Sequence, residues 1–203
     1  MRLKAENISF SYKGDNWILK DVNLSLESGQ ILGLIGDSGS GKSTLCKILA
    51  GYEKKYQGSV NIDGNKISSK GYNPVQLIFQ HPEKAVNPKW KMKDILNEGH
   101  PISQEIVDAF GIKKSWLNRW PNELSGGELQ RFALARALNP ETKFLIADEI
   151  TTMVDAITQA QIWNILLDKV KELNIGILVV SHEKNLINRI CHDVRFLNDI
   201  NRV

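Results

Sequence analysis

The sequence predicts an α/β fold: a parallel sheet with crossover helices, an N-terminal antiparallel β subdomain and an inserted helical subdomain. Three observations support it. The runs Ile31–Ile35, 75–79, 144–147 and 175–180 are apolar without alternation, as strands covered on both faces are. Helical patterns separate them, which is the habit of strand–helix–strand crossovers. The first third of the chain alternates instead, the mark of a sheet with one covered face. Composition agrees. Of 203 residues, 42% are hydrophobic, enough for a core and too many for a disordered chain. With 26 Lys plus Arg against 23 Asp plus Glu, the net charge of +3 is too small to imply nucleic acid by itself. No apolar run approaches the ~18 residues of a membrane span. The basic start Met1-Arg2-Leu3-Lys4 leads into polar alternation rather than a leader's apolar core. Cys46 and Cys191 lie too far apart in sequence to be a disulfide framework. These features point away from a membrane-spanning, secreted, collagen-like or disordered protein, and a soluble cytoplasmic domain is expected.

The elements follow in order. Leu3, Ala5, Ile8 and Phe10 form the apolar set of a strand over 3–10, and Val22, Leu24 and Leu26 alternate strictly in the next. Asp63-Gly64 after Val60-Asn61-Ile62 signals a hairpin that returns through Ile67. Pro82, Pro88, Pro101 and Pro121 then punctuate the chain, with helices expected near 93–98 and 103–110. A longer helix is expected over about 126–138, stopped by Asn139-Pro140. Without repeat or linker, residues 1–203 read as one domain. Segments 1–80 and 140–203 make the core with its β subdomain, and 81–139 make the helical subdomain.

Gly36-Asp37-Ser38-Gly39-Ser40-Gly41-Lys42-Ser43 fits the phosphate-loop pattern G-x-x-x-x-G-K-[ST], after an apolar strand and before the helical stretch that Thr44 opens. Glycines let backbone N–H groups wrap phosphates, and the helix N-terminus adds unpaired donors and a favourable dipole. Lys42 can reach the β- and γ-phosphates, and the Ser43 hydroxyl can ligate Mg²⁺. The parallel sheet is thus the core of a P-loop NTPase. The strand 144–147 ends in Asp148 and Glu149, the first placed for the Mg²⁺ shell and the second to orient or deprotonate water. His182 follows the strand 175–180. Ligands bind at the carboxyl ends of strands in open α/β sheets, so His182 is expected at the same rim, toward the γ-phosphate.

Leu124-Ser125-Gly126-Gly127-Glu128-Leu129-Gln130-Arg131 resembles the signature motif of ATP-binding cassette (ABC) ATPases. The resemblance covers about 3–197 and implies further roles. Tyr12 corresponds to the aromatic that stacks on adenine, and 36–43 to the Walker A loop. Gln80 corresponds to the Q-loop glutamine that meets Mg²⁺, and Phe144–Asp148 to the Walker B strand. Glu149 corresponds to the catalytic glutamate, Asp155 to the D-loop aspartate, and His182 to the switch histidine. Phe79-Gln80-His81-Pro82, Val86-Asn87-Pro88, the acidic Asp37 and Trp120-Pro121-Asn122-Glu123-Leu124 are similar to the peptide, nickel and metallophore importer branch. Two departures stand out. Glu128 replaces the usual signature glutamine, and Thr151-Thr152-Met153-Val154 replaces the usual Ser-Ala-Leu before Asp155.

The resemblance implies an ATP- and Mg²⁺-dependent ATPase at the cytoplasmic face of the membrane. It would drive import of a small solute of the peptide, nickel or metal-chelate class through permease subunits, served indirectly by an extracytoplasmic solute-binding protein. Ser125, Gly126 and Gly127 open a helix remote in sequence from the phosphate loop, so they are expected to complete the site of a second cassette, a related chain in preference to an identical one. The alternative is an ABC ATPase acting on ribosome or DNA, but such proteins resemble tandem cassettes or carry long coiled coils. A P-loop kinase or small GTPase leaves 124–131 unexplained, and a regulatory module without turnover leaves Glu149 unused. No nucleic-acid partner is expected: Lys89, Lys91 and Lys93 around Trp90 read first as a solvated face. Trp116 and Trp120, four apart, are expected to share a helix face, and Cys46 to be core. Cys191-His192 is weak evidence for a metal.

Overall fold

The computed structural model describes every residue except Asp15, Ser69 and Met153. Strands β1 (Arg2–Ser11), β2 (Trp17–Glu27), β4 (Gln57–Ile62) and β5 (Asn65–Lys66) form an antiparallel sheet in the order β2-β1-β4-β5. Strands β3 (Ile31–Ile35), β6 (Val75–Ile78), β7 (Phe144–Asp148), β8 (Gly176–Val180) and β9 (Asp193–Phe196) form a parallel sheet in the order β6-β7-β8-β3-β9. The helices are α1 (Lys42–Leu49), α2 (Met92–Leu96), α3 (Gln104–Ala109), α4 (Gly126–Ala137), α5 (Ala156–Glu172), α6 (Lys184–Ile190) and α7 (Leu197–Ile200).

The pleat explains why the parallel strands read as continuous apolar runs. Leu32, Leu34, Ile146, Leu178 and Val180 pack with Leu45, Ile48 and Leu49 of α1 and with Leu3, Ile8 and Leu26 of the antiparallel sheet. The alternate residues Leu145, Ala147, Ile177 and Val179 pack on the other side, with Phe132 of α4, Ile162 and Leu166 of α5, and Ile95 and Phe110 from the stretch between β6 and β7. Successive side chains of one strand thus enter two different cores. Each fully buried Leu or Ile contributes about 1.5–3 kcal/mol. Cys46 lies in the first of these cores, as expected.

Several expectations need correction. Strand β9 was not foreseen. It is an edge strand whose Asp193, Arg195 and Phe196 are exposed, so it lacks an apolar run. The hairpin return is only Asn65–Lys66, and Ile67 lies just past it. Helix α2 starts and stops earlier than 93–98. Trp116 and Trp120 share no helix face. Trp116 ends a 3₁₀ turn, Lys114–Trp116, and is buried near Phe132 at 6.5 Å, whereas Trp120 is extended before Pro121 and 40% exposed. A residue preceding proline is pushed out of the helical region, which breaks the periodicity.

Candidate active site

All five parallel strands run the same way, so their carboxyl ends form one rim. The loop 36–41 leaves β3 at this rim and enters α1 at Gly41, whose φ of 103° only glycine adopts easily. A Cβ at Gly41 would lie 2.9 Å from Ile18 Cγ2. Helix α1 has no side-chain cap and no acidic residue in its first turn, so its N–H groups remain open to an anion. Lys42 is 7% exposed, and its Nζ donates to the carbonyls of Gly36 and Asp37, both at 2.7 Å. Ser38 and Gly39 are exposed at the loop tip, and Ser40 presents a buried Oγ with no partner among the described residues. Tyr12, 63% exposed, stands edge-on to Phe10 at 4.8 Å, its hydroxyl 3.4 Å from Thr44 Oγ1.

Strand β7 delivers the carboxylates. Asp148, 8% exposed, has one oxygen, Oδ1, without a hydrogen-bond partner among the described residues. Burial pushes its carboxyl above the ordinary aspartate range, against the opposing pull of the Ser43 hydroxyl and, more weakly, of Lys42. Glu149 adopts φ 52°. Among the described residues, the other non-glycine residues with positive φ are Asn7, Asp21, Asp63 and Asn174, the types that tolerate it. Glu149 is therefore the strained one, held by its N–H donating to the Val180 carbonyl at 2.9 Å, one residue beyond the β7–β8 ladder.

Two residues converge on the Glu149 side chain, and a third holds its backbone carbonyl. Gln80, just past β6, donates Nε2 to Glu149 Oε2 at 3.1 Å and to Thr152 Oγ1 at 3.3 Å. His182, just past β8, places Nδ1 3.3 Å from Glu149 Oε1. The Thr152 hydroxyl donates to the Glu149 carbonyl at 3.1 Å. Thr152 was missed by sequence reasoning, which registered its segment only as a departure; a hydroxyl three residues past a strand-end carboxylate was the available signal.

Ser125, Gly126, Gly127 and Asp155 form a separate group. Ser125 caps α4 in a reciprocal box: its Oγ accepts from Glu128 N–H at 3.3 Å, and its own N–H donates to Glu128 Oε2 at 2.8 Å. Asp155 caps α5, accepting from Ile157 and Thr158 N–H at 3.0 Å each. A Cβ at Gly127 would lie 3.3 Å from Val154 Cγ1, so the two helix starts touch. Among the described residues no hydrogen bond joins this group to 36–44. Met153, in the same segment, lies outside the described residues. Cys191 and His192 assemble no metal cluster among the described residues; His192 Nδ1 accepts the Ile31 N–H at 3.3 Å.

A model of the ABC transporter family matches residues 19–152. The chain belongs to this family. This ABC cassette is 34% identical, over 97% of its length, to the methionine import ATP-binding protein MetN 3 of Shouchella clausii, and spans 63% of that relative. It is 34% identical, over 90% of its length, to the nickel import ATP-binding protein NikE of Escherichia coli K12, covering 75% of it. Among solved structures, the ATP-binding cassette MJ0796, a dimer in a post-hydrolysis state with ADP and Pi, matches with a TM-score of 0.81 at 26% identity, covering 96% of this chain and 93% of that one. The fold is therefore that of an ABC-type ATPase, a P-loop α/β domain with parallel and antiparallel sheets. No helix among the described residues is long and apolar enough to cross a membrane.

Proposed function

We propose that this chain hydrolyses ATP to drive import of a small solute of the peptide, nickel or metal-chelate class, bound to permease subunits at the cytoplasmic face of the membrane. The convergence of Gln80 and His182 on Glu149, beside the Lys42 loop, carries the reading. The names of the methionine and nickel import relatives support the importer class. Residues 81–139 act as the helical subdomain of a single domain.

In this reading Tyr12 stacks on adenine, and the N–H groups of 36–44 with Lys42 hold the phosphates. Glu149 takes the proton of the attacking water, while Lys42 and His182 stabilise the transferring phosphoryl group. Ser43, Asp148 and Gln80 would hold Mg²⁺. The donor set fits: hard oxygens, with the buried Asp148 Oδ1 unpartnered and the Ser43 hydroxyl acting on the same carboxyl. When bound, the ion supplies charge neutralisation at the phosphates. The Ser125–Asp155 group completes the site of a second cassette, a related chain, and the neighbouring Ile157, 73% exposed, supplies apolar area for that seam.

Glu149→Gln tests the assignment. The amide keeps the shape but is a poor base, so the ATPase rate of the assembled transporter should fall about 10²–10⁴-fold with ATP binding retained. Turnover at the wild-type rate would remove Glu149 from this role.

A further inference from the structure

We infer that α7 and Asn201 brace the phosphate loop, and that Asn201 is a positioning residue for nucleotide binding. The inference rests on the nucleotide reading of 36–44. The half-buried Asn201 side chain docks on the backbone of β2 as a neighbouring strand would. Its Oδ1 accepts from the Lys20 N–H at 2.8 Å, and its Nδ2 donates to the Ile18 carbonyl at 2.9 Å. Arg202 N–H adds a bond to the Lys20 carbonyl at 3.0 Å.

Ile18 is also the residue against which Gly41 closes the loop. A Cβ on Gly41 would sit 2.9 Å from Ile18 Cγ2 and 3.2 Å from the same Ile18 carbonyl oxygen that Asn201 holds. At the other end of the loop, the fully buried Leu197 approaches Gly36 so closely that a Cβ there would lie 3.2 Å from Leu197 Cβ. Asn198 Nδ2 donates to Asp37 Oδ2 at 3.3 Å, engaging a carboxylate that would otherwise be free to approach the phosphates. One short segment therefore fixes the first two residues of the loop directly and its last glycine through Ile18. Within the loop, Lys42 Nζ holds the Gly36 and Asp37 carbonyls and the Ser40 N–H bonds the Asp37 carbonyl, while the tip at Ser38 and Gly39 is exposed; the 197–201 segment anchors the loop to the fold from outside. Ordering a free backbone costs conformational entropy, and a braced loop meets the nucleotide with that cost already met by the fold.

The experiment titrates MgATP into the full-length chain by calorimetry and follows amide hydrogen exchange. Asn201→Ala should raise the ATP Kd about tenfold, the loss expected for one to two backbone hydrogen bonds. Asn198→Ala, an exposed change that leaves the core intact, should raise it about threefold. Asn23→Ala removes a similar bond elsewhere on β2, the one its Oδ1 accepts from Asn7 N–H at 3.0 Å, and should leave the Kd at the wild-type value. In Asn201→Ala, exchange should quicken over 36–44 and not in β7 or β8; a merely structural role would quicken all three. Wild-type Kd in both Asn201→Ala and Asn198→Ala, or uniformly faster exchange, overturns the brace. Lys42→Ala serves as the arm for the underlying reading: if it binds ATP like the wild type, the nucleotide assignment itself fails.

Discussion

Helices α1 and α4 both begin in a glycine-bearing turn, but their first turns are finished in opposite ways. Helix α1 starts at Gly41 with no side-chain cap and no carboxylate, and its Lys42 turns back onto the carbonyls of the loop. Helix α4 starts with the Ser125 and Glu128 box, which satisfies donors at both ends of the turn. The first terminus is left open to an anion, so in the proposed reading it would hold nucleotide alone. The second is stable as it stands, and an incoming phosphate competes with a carboxylate already bonded to Ser125 N–H. In the proposed reading, that difference is why one cassette would bind nucleotide by itself, while Ser125–Gly127 would act only when a second cassette presses a nucleotide against them.

The strongest way to break this comparison is Ser125→Arg. In a transporter with two different cassettes it should lower hydrolysis at the composite site about 10²-fold or more, because it removes a donor and blocks closure. Binding to this chain's own loop should persist in the open state. Trapping of labelled nucleotide, scored for each subunit, reads both. If Ser125→Arg abolishes nucleotide binding to the isolated chain while Lys42→Ala does not, the division of labour is wrong. A smaller effect sharpens the open terminus. Tyr12→Ala should weaken ATP binding by about 1–3 kcal/mol, while Tyr12→Trp keeps a stacking face. Equal affinities for all three forms would reduce Tyr12 to a residue at the end of β1.

The smallest effect concerns stability. Burial holds the Asp148 carboxyl above its ordinary range, so the folded chain binds that proton more tightly than the unfolded chain does. The stabilisation this gives is complete below the ordinary aspartate range and is lost as pH rises through the folded value. At neutral pH the ionised group weighs against the fold. Without nucleotide, Asp148→Asn should therefore raise the Tm at neutral pH, with the gain fading as pH falls through the folded value and gone below the usual aspartate range. Thermal melts across pH check it, and a lowered Tm at neutral pH would show that the carboxylate is satisfied without Mg²⁺.

The rim of the parallel sheet was legible because its parts are local. A glycine loop after an apolar strand, and polar residues closing later apolar runs, fix Lys42, Asp148, Glu149 and His182 without knowledge of strand order. Gln80 needed the family resemblance, since a lone glutamine after a strand has no physical signature. Strand β9 was hidden by its exposed edge, and the Trp116–Trp120 pairing failed on Pro121. The Asn201 contacts to Ile18 and Lys20 span most of the chain, and no spacing in the sequence announces an amide that imitates a strand.

The end of β7 also bears on how such a chain would change over generations. Glu149 sits at φ 52°, where glycine or asparagine rests more easily, and beside it stands a buried carboxylate whose ionised form burial disfavours. Both residues therefore cost the fold stability. Were turnover no longer under selection, these two would be among the first to drift, and each step would make a sturdier protein. Asparagine or glycine at 149 beside an amide at 148 would mark a descendant that still folds and binds but has stopped working as an engine.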